Sequence, residues 1–191
     1  DVGLTVGQHN NFQSLEELNS SRFTSFIERA AFTDAFNFER RVGVSATYSG
    51  GDVIAQAGVF TDNIDDLTDD ANDAVSLDGR VVWMPKLGDT QLHLGGSLHY
   101  SDTDAMDVRC RQRPLVHFTS ERFVDTGSLS ADSEFGAGIE AALIRGRFHA
   151  AGEAFWQSVD RPGTLSDPTF FGGYAELGVF LTPGDTRGYK A

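Results

Sequence analysis

Apolar and polar positions alternate with period two along most of this chain. Val42, Val44, Ala46 and Tyr48 interleave with Gly43, Ser45 and Thr47. After Gly50-Gly51, Val53, Ala55, Ala57 and Val59 interleave with Ile54, Gln56, Gly58 and Phe60. Two such runs across a Gly-Gly pair predict a β-hairpin. The pattern returns at Leu77–Met84, Leu92–Tyr100, Phe135–Leu143, Phe148–Gln157 and Tyr174–Leu181. These runs are about 8–12 residues long, more than the usual soluble strand and matched to a tilted strand crossing a bilayer. One face is apolar and often small. The other carries Gln56, Asp78, Arg80, His93, His99, Glu140, Glu153 and Glu176. Tyr48, Phe60, Trp83, Tyr100, Phe148, Trp156 and Phe180 sit near run ends, as aromatic girdles of a membrane barrel would.

The connections alternate in length. Gly50-Gly51, Pro85–Asp89, Arg145–Arg147 and Pro183–Asp185 are tight turns. His9–Glu39, Asp62–Ser76, Ser101–Ser133 and Ser158–Phe171 are long and polar. Short turns at one end and long loops at the other predict an all-β, antiparallel up-and-down transmembrane β-barrel. A soluble β-sandwich is the alternative architecture. The one helical pattern falls in the first long connection. Ser14 with Glu17 makes a capping box, and Phe23, Phe26, Ile27 and Ala30 follow at amphipathic helix spacing. A helix in a barrel loop must pack somewhere. The lumen wall would make residues 9–39 a constriction; the outer rim is the alternative.

Composition narrows the classes. The chain has 191 residues, 15 Lys+Arg and 28 Asp+Glu, for a formal net charge of -13. That balance argues against a general nucleic-acid binder. Asp62, Asp65, Asp66, Asp69, Asp70 and Asp73 concentrate acid in one loop, without the glycine and terminal glutamate of an EF-hand. Cys110 is the one cysteine, so no intrachain disulfide forms, and zinc spacing is absent. No metal or cofactor is expected, and His93, His99, His117 and His149 read as polar wall or loop residues. No nucleophile–base motif is present, so no catalytic residue is assigned. The N-terminal residues lack the regions of a signal peptide, which suggests a processed chain or one that starts partway.

Against the acidic background, Asp107-Val108-Arg109-Cys110-Arg111-Gln112-Arg113-Pro114 stands out. In extended backbone, alternate side chains share a face, so Arg109, Arg111 and Arg113 form a line spaced about 6–7 Å apart. Cys110 falls on the opposite face. Like charges so close repel unless water or an anion lies among them. A solvated basic edge is the alternative. Pro114 interrupts strand pairing, so the row, within the 101–133 connection, is an inward-folding arm rather than a wall strand.

Several segments resemble the phosphate-selective porin O and P family. They are Gly7-Gln8, Ser14–Ala30 with its Ser20-Ser21-Arg22, Arg40–Val44, Arg109–Pro114 and Arg122–Gly127, in the family order. The resemblance implies a sixteen-stranded barrel in the bacterial outer membrane, surrounded by lipid and usually trimeric. It also implies an arginine ladder and an inward-folded loop that pass anions, phosphate above all. The strand-like runs are too few to close such a barrel, and the family's aromatic C-terminal strand is not present. Residues 1–191 are therefore expected to be one partial barrel domain, an internal fragment of about half a porin.

Phosphate entering a narrow pore loses water, and fixed donors must replace it. Arginine presents a planar, permanently charged fork that pairs with oxyanions. A row of such sites lets an ion leave as readily as it enters. Arg109, Arg111 and Arg113 are the expected ladder, with Ser20, Ser21 and Arg22 at the narrow point. Arg29, Arg40 and Arg41 are further lumen candidates, with Arg29 alternatively pairing with Glu28 or Glu16. Glu140, Glu153 and Glu176 would neutralise and orient wall arginines. The expected function is passive diffusion of phosphate or polyphosphate. A general or cation-preferring porin of the same fold is the second reading, and a barrel enzyme such as a lipase the third.

Overall fold

A computed structural model of the chain describes residues 1–65, 74–103, 107–115 and 118–189. Asp66, Asp69, Asp70, Asp73 and His117, all part of the sequence expectations, lie outside these residues. The chain begins with β1 (Val2–Asn10), α1 (Leu15–Leu18) and α2 (Ala31–Ala35). Then come β2 (Arg40–Gly50), β3 (Val53–Phe60), β4 (Val75–Trp83), β5 (Lys86–Leu87) and β6 (Thr90–Asp102). Four two-residue strands follow: β7 (Asp107–Val108), β8 (Arg111–Gln112), β9 (Val124–Asp125) and β10 (Leu129–Ser130). Last are β11 (Ser133–Arg145), β12 (Phe148–Asp160) and β13 (Thr169–Val179).

The fold is an antiparallel meander. The main path is β1-β2-β3-β4-β6-β11-β12-β13, with β5 beside β6. The tight turns at Gly50-Gly51, Pro85–Asp89 and Arg145–Arg147 join adjacent strands in the predicted places, while Pro183–Asp185 follows β13. Gly50 pairs with Val53 across Gly51, whose φ of 58° is a conformation that favours glycine. Among the described residues no helix is long and apolar enough to cross a membrane.

The sheet's polarity is the reverse of a water-soluble layer. On one face Leu4, Leu77, Val81, Leu98, Ile139 and Leu177 are exposed, Leu177 at 89%. On the other, Asp78, Arg80, His93, His99, Glu140, Glu153 and Gln157 are buried, Arg80 at 7%. Register holds the division. Ala137 pairs with Leu98 on one side and Trp156 on the other, all on the bare apolar face. Slipping one strand by one residue would exchange its two faces. Tyr48, Trp83, Tyr100, Phe135, Phe148, Trp156 and Phe171 are exposed on that same face. The two faces carry the residues that the alternation assigned to them.

Three expectations are corrected. The predicted helix through Phe23, Phe26, Ile27 and Ala30 ends at Leu18, and those residues do not form its buried stripe: Ile27 is fully exposed. Asn19 already has extended backbone, and hydroxyls downstream bond locally. Ser20 Oγ accepts from Arg22 N, and Thr24 donates to Ser21 O. Such local bonds compete with helix propagation. Second, Val2–Asn10 is a full strand, carried by the alternation of Val2, Leu4 and Val6 with Gly3, Thr5 and Gly7, which the sequence expectations left out. Third, Phe180, which packs against His149, is not a girdle residue, and neither is Phe60. Phe60 is fully buried against Phe12 and His9 on the polar face, where the first connection needs an apolar anchor.

Candidate functional site

Among the described residues, three segments lie against the polar face of the sheet: residues 11–39, residues 107–112, and residues 187–189, where Tyr189 meets His93. Hydrogen bonding and aromatic packing dock the first. Ser97 Oγ donates to the carbonyl of Gln13 at 2.8 Å. Phe12 packs edge-on against Phe60. Phe32, Phe36 and Phe38 gather around Phe155 of β12, with Cys110 in the same cluster. Gly172 of β13 makes room for this cluster, since a Cβ there would lie 2.5 Å from Phe32 Cβ.

One carboxylate fastens the helix start. Glu153 Oε2 accepts from Leu15 N at 2.9 Å and Oε1 from Glu16 N at 2.7 Å. The first turn of a helix has no intrahelical partners for its N–H groups, so a carboxylate there satisfies them. The predicted cap also forms, with Ser14 Oγ accepting from Glu17 N at 3.3 Å. Arg29 closes the turn from the other side. It meets Glu17 at 3.2 Å and donates to the carbonyls of Glu16 and Asn19. The ion pair with Glu17 is one that the sequence expectation did not name. Burial pushes the Glu16 carboxyl up, with Glu176 adding to it, and burial likewise raises Glu17 against the pull of Arg29.

The expected neutralisation of wall charge is present in one place. Arg80 donates through Nε and Nη2 to Glu140, at 3.1 and 2.5 Å, and through Nη1 to Gln56. His93 Nε2 lies 2.6 Å from the same carboxylate. His99 Nδ1 lies 2.9 Å from Asp78, and Gln157 donates to Glu134. Glu176 instead accepts from Ser25 in the docked segment.

The arginine row keeps the predicted alternation from Arg109 to Gln112, while Arg113 is half-buried. Arg109 and Arg111 are exposed, while Cys110 and Gln112 are buried. Cys110 faces the phenylalanine cluster, and burial pushes its thiol up to about 11. The row is broken as a strand: β7 pairs with β10, and β8 with β9. Arg109 is engaged by a residue absent from the expected site. Its Nε and Nη2 donate to Asp125 Oδ1 and Oδ2 at 2.8 and 2.6 Å. Gly127 N also donates to Asp125 Oδ1, and the register sets Asp125 opposite Arg111. The Arg109 fork and the Gly127 N–H hold the Asp125 carboxyl well below the usual carboxylate range.

Ser20, Ser21 and Arg22 are exposed, with the Arg22 guanidinium over the Phe23 ring at 5.8 Å. Among the described residues no hydrogen bond or ion pair joins them to Arg109 or Arg111; the segments meet instead through α2 and Cys110. Arg41 lies on the polar face 3.6 Å from Asp62, and Arg40 donates to Asn10. Sequence reasoning placed Glu153 on the correct face without naming its partners. It missed Asp125, whose only signal was its place in Arg122–Gly127.

An uncharacterized protein of Caulobacter vibrioides is 52% identical over 199 residues, covering 98% of this chain and 40% of that protein. The chain thus spans about two fifths of that relative's length. The family model described as phosphate-selective porin O and P matches residues 1–191. With its whole length matched, the chain belongs to the phosphate-selective porin O and P family.

Proposed function

We propose that this chain forms part of the wall of an outer-membrane β-barrel porin that passes anions, phosphate or polyphosphate among them, by diffusion. The observation that carries the reading is the sheet's polarity: an exposed apolar face with aromatic rims, and a buried polar face. Lipid suits the first and a water-filled lumen the second. Closing the wall takes strands beyond the eight long ones, because β1 and β13 end the path. The family's sixteen strands and trimeric assembly are the proposed completion. Family membership points to a channel rather than an enzyme.

In this reading residues 9–39 narrow the lumen, and residues 101–133 are an arm carrying the anion path. Arg111 and Arg113, with Arg109, form the ladder; Ser20, Ser21 and Arg22 face the water at the narrow point. The exposure of Arg109 and Arg111, with Cys110 and Gln112 turned inward, supports this for the first two arginines. A dehydrated oxyanion gains charge-assisted bonds from each guanidinium in turn, and no single site is deep enough to trap it.

A cation-preferring or general porin is the second reading, favoured by the net charge of -13. Against it, the nearby carboxylates are occupied. Glu140 is held by Arg80, Glu153 by two backbone N–H groups and Asp125 by Arg109. Reversal potentials of the full-length protein in planar bilayers decide between the two. Anion preference with phosphate-dependent block is expected, and cation preference would overturn the proposal.

A further inference from the structure

We propose that Asp125 is a built-in counter-ion for Arg109, a latch that a permeating oxyanion must displace. The inference rests on the anion-path reading of the arginine row and deepens it. The geometry carries it. Both carboxylate oxygens of Asp125 take up the Arg109 fork, at 2.8 and 2.6 Å. That is the two-point pattern by which a phosphate would bind the same guanidinium. The carboxylate is aimed by the chain itself: Gly127 N donates to Oδ1, and β9 pairs Asp125 across from Arg111. Asp125 therefore stands between two arginines of one face, where an anion bridging them would sit. Arg109 and Asp125 both remain open to solvent, so exchange needs no unfolding.

The consequence is a specificity filter. An anion binds Arg109 only in the fraction of time that the latch is open, which weakens apparent affinity by that fraction. A doubly charged oxyanion can replace both points of contact and brings more charge than the carboxylate. Chloride offers one point and one charge, so it competes poorly. Asp125 thus reserves Arg109 for phosphate-like ions while keeping their binding weak enough for release.

The test uses the full-length protein in planar bilayers, with inorganic phosphate as the probe. Asp125→Asn is expected to lower the half-blocking phosphate concentration about two- to fivefold, the equivalent of one exposed ion pair. It should also raise chloride conductance in dilute KCl. Asp125→Glu, which keeps the charge, should stay near wild type, and Asp125→Ser repeats the test if the amide variant fails to fold. In an Arg109→Gln background the Asp125→Asn effect should vanish. Its persistence there would mean a general field effect and would overturn the latch. So would an unchanged block in Asp125→Asn while Arg111→Gln weakens it. If Arg111→Gln and Arg113→Gln also leave the block unchanged, the anion-path reading falls and the latch with it.

Discussion

Glu153 on β12 holds the amide of Leu15 at 2.9 Å, across 138 positions of sequence, and takes the next amide with its other oxygen. One carboxylate thereby fixes the helix start to the sheet. Aromatic packing adds adhesion around it, but the two N–H bonds fix where the helix begins.

Glu153→Gln removes the charge and turns an amide NH2 toward one of these donors. Losing a charge-assisted bond of this kind costs about 1.5–3 kcal/mol. Hydrogen exchange at the Leu15 and Glu16 amides should accelerate about ten- to hundredfold. Single-channel current should become noisier as the segment undocks. Unchanged exchange would show that Phe32, Phe36 and Phe38 suffice to hold it.

Acidity should act on the same segment. Burial, with Glu176 nearby, raises the Glu16 carboxyl above its ordinary value, and burial raises Glu17. The docked form then binds protons more tightly than the undocked form. Docking is favoured at pH below the ordinary carboxylate value, and that advantage is lost as pH rises through the raised docked values. After correction for intrinsic rates, exchange at residues 15–19 should be slower near the ordinary carboxylate value than at neutral and higher pH. Glu16→Gln should flatten the dependence; an unaltered slope would assign it elsewhere.

The arginine row can be checked by chemistry. Cys110 is buried in the phenylalanine cluster with its thiol raised to about 11, so a charged maleimide should leave it unmodified in the folded protein. In a Cys110→Ser background, Arg111→Cys should label readily. Rapid labelling of Cys110 together with protection of the Arg111→Cys thiol would reverse the assignment of faces.

Period two made the sheet legible, because a strand buries or exposes every second residue and register preserves the choice. It gave the faces of Arg80, Glu140 and Glu153 and the exposure of Arg109 and Arg111 beside buried Cys110. Partners were less legible. Glu153 meets Leu15, and Arg109 meets Asp125, only after connections fold back onto the sheet, and alternation carries no information about that folding. The helix was over-extended for a related reason. Phe23, Phe26 and Ile27 satisfy helical spacing, but Asn19, Ser20 and Thr24 offer their backbone local bonds that a helix cannot match. Phe60 was misplaced because aromatic anchoring of a docked segment and an aromatic rim look alike in one strand.

Ion selectivity tests the central claim most directly. The full-length protein is reconstituted in a planar bilayer under a KCl gradient, and phosphate is then titrated in. The account predicts a reversal potential on the anion side and chloride current that falls saturably with millimolar phosphate. Arg111→Gln should weaken both effects. A cation-side reversal potential, or chloride current indifferent to phosphate, would contradict it.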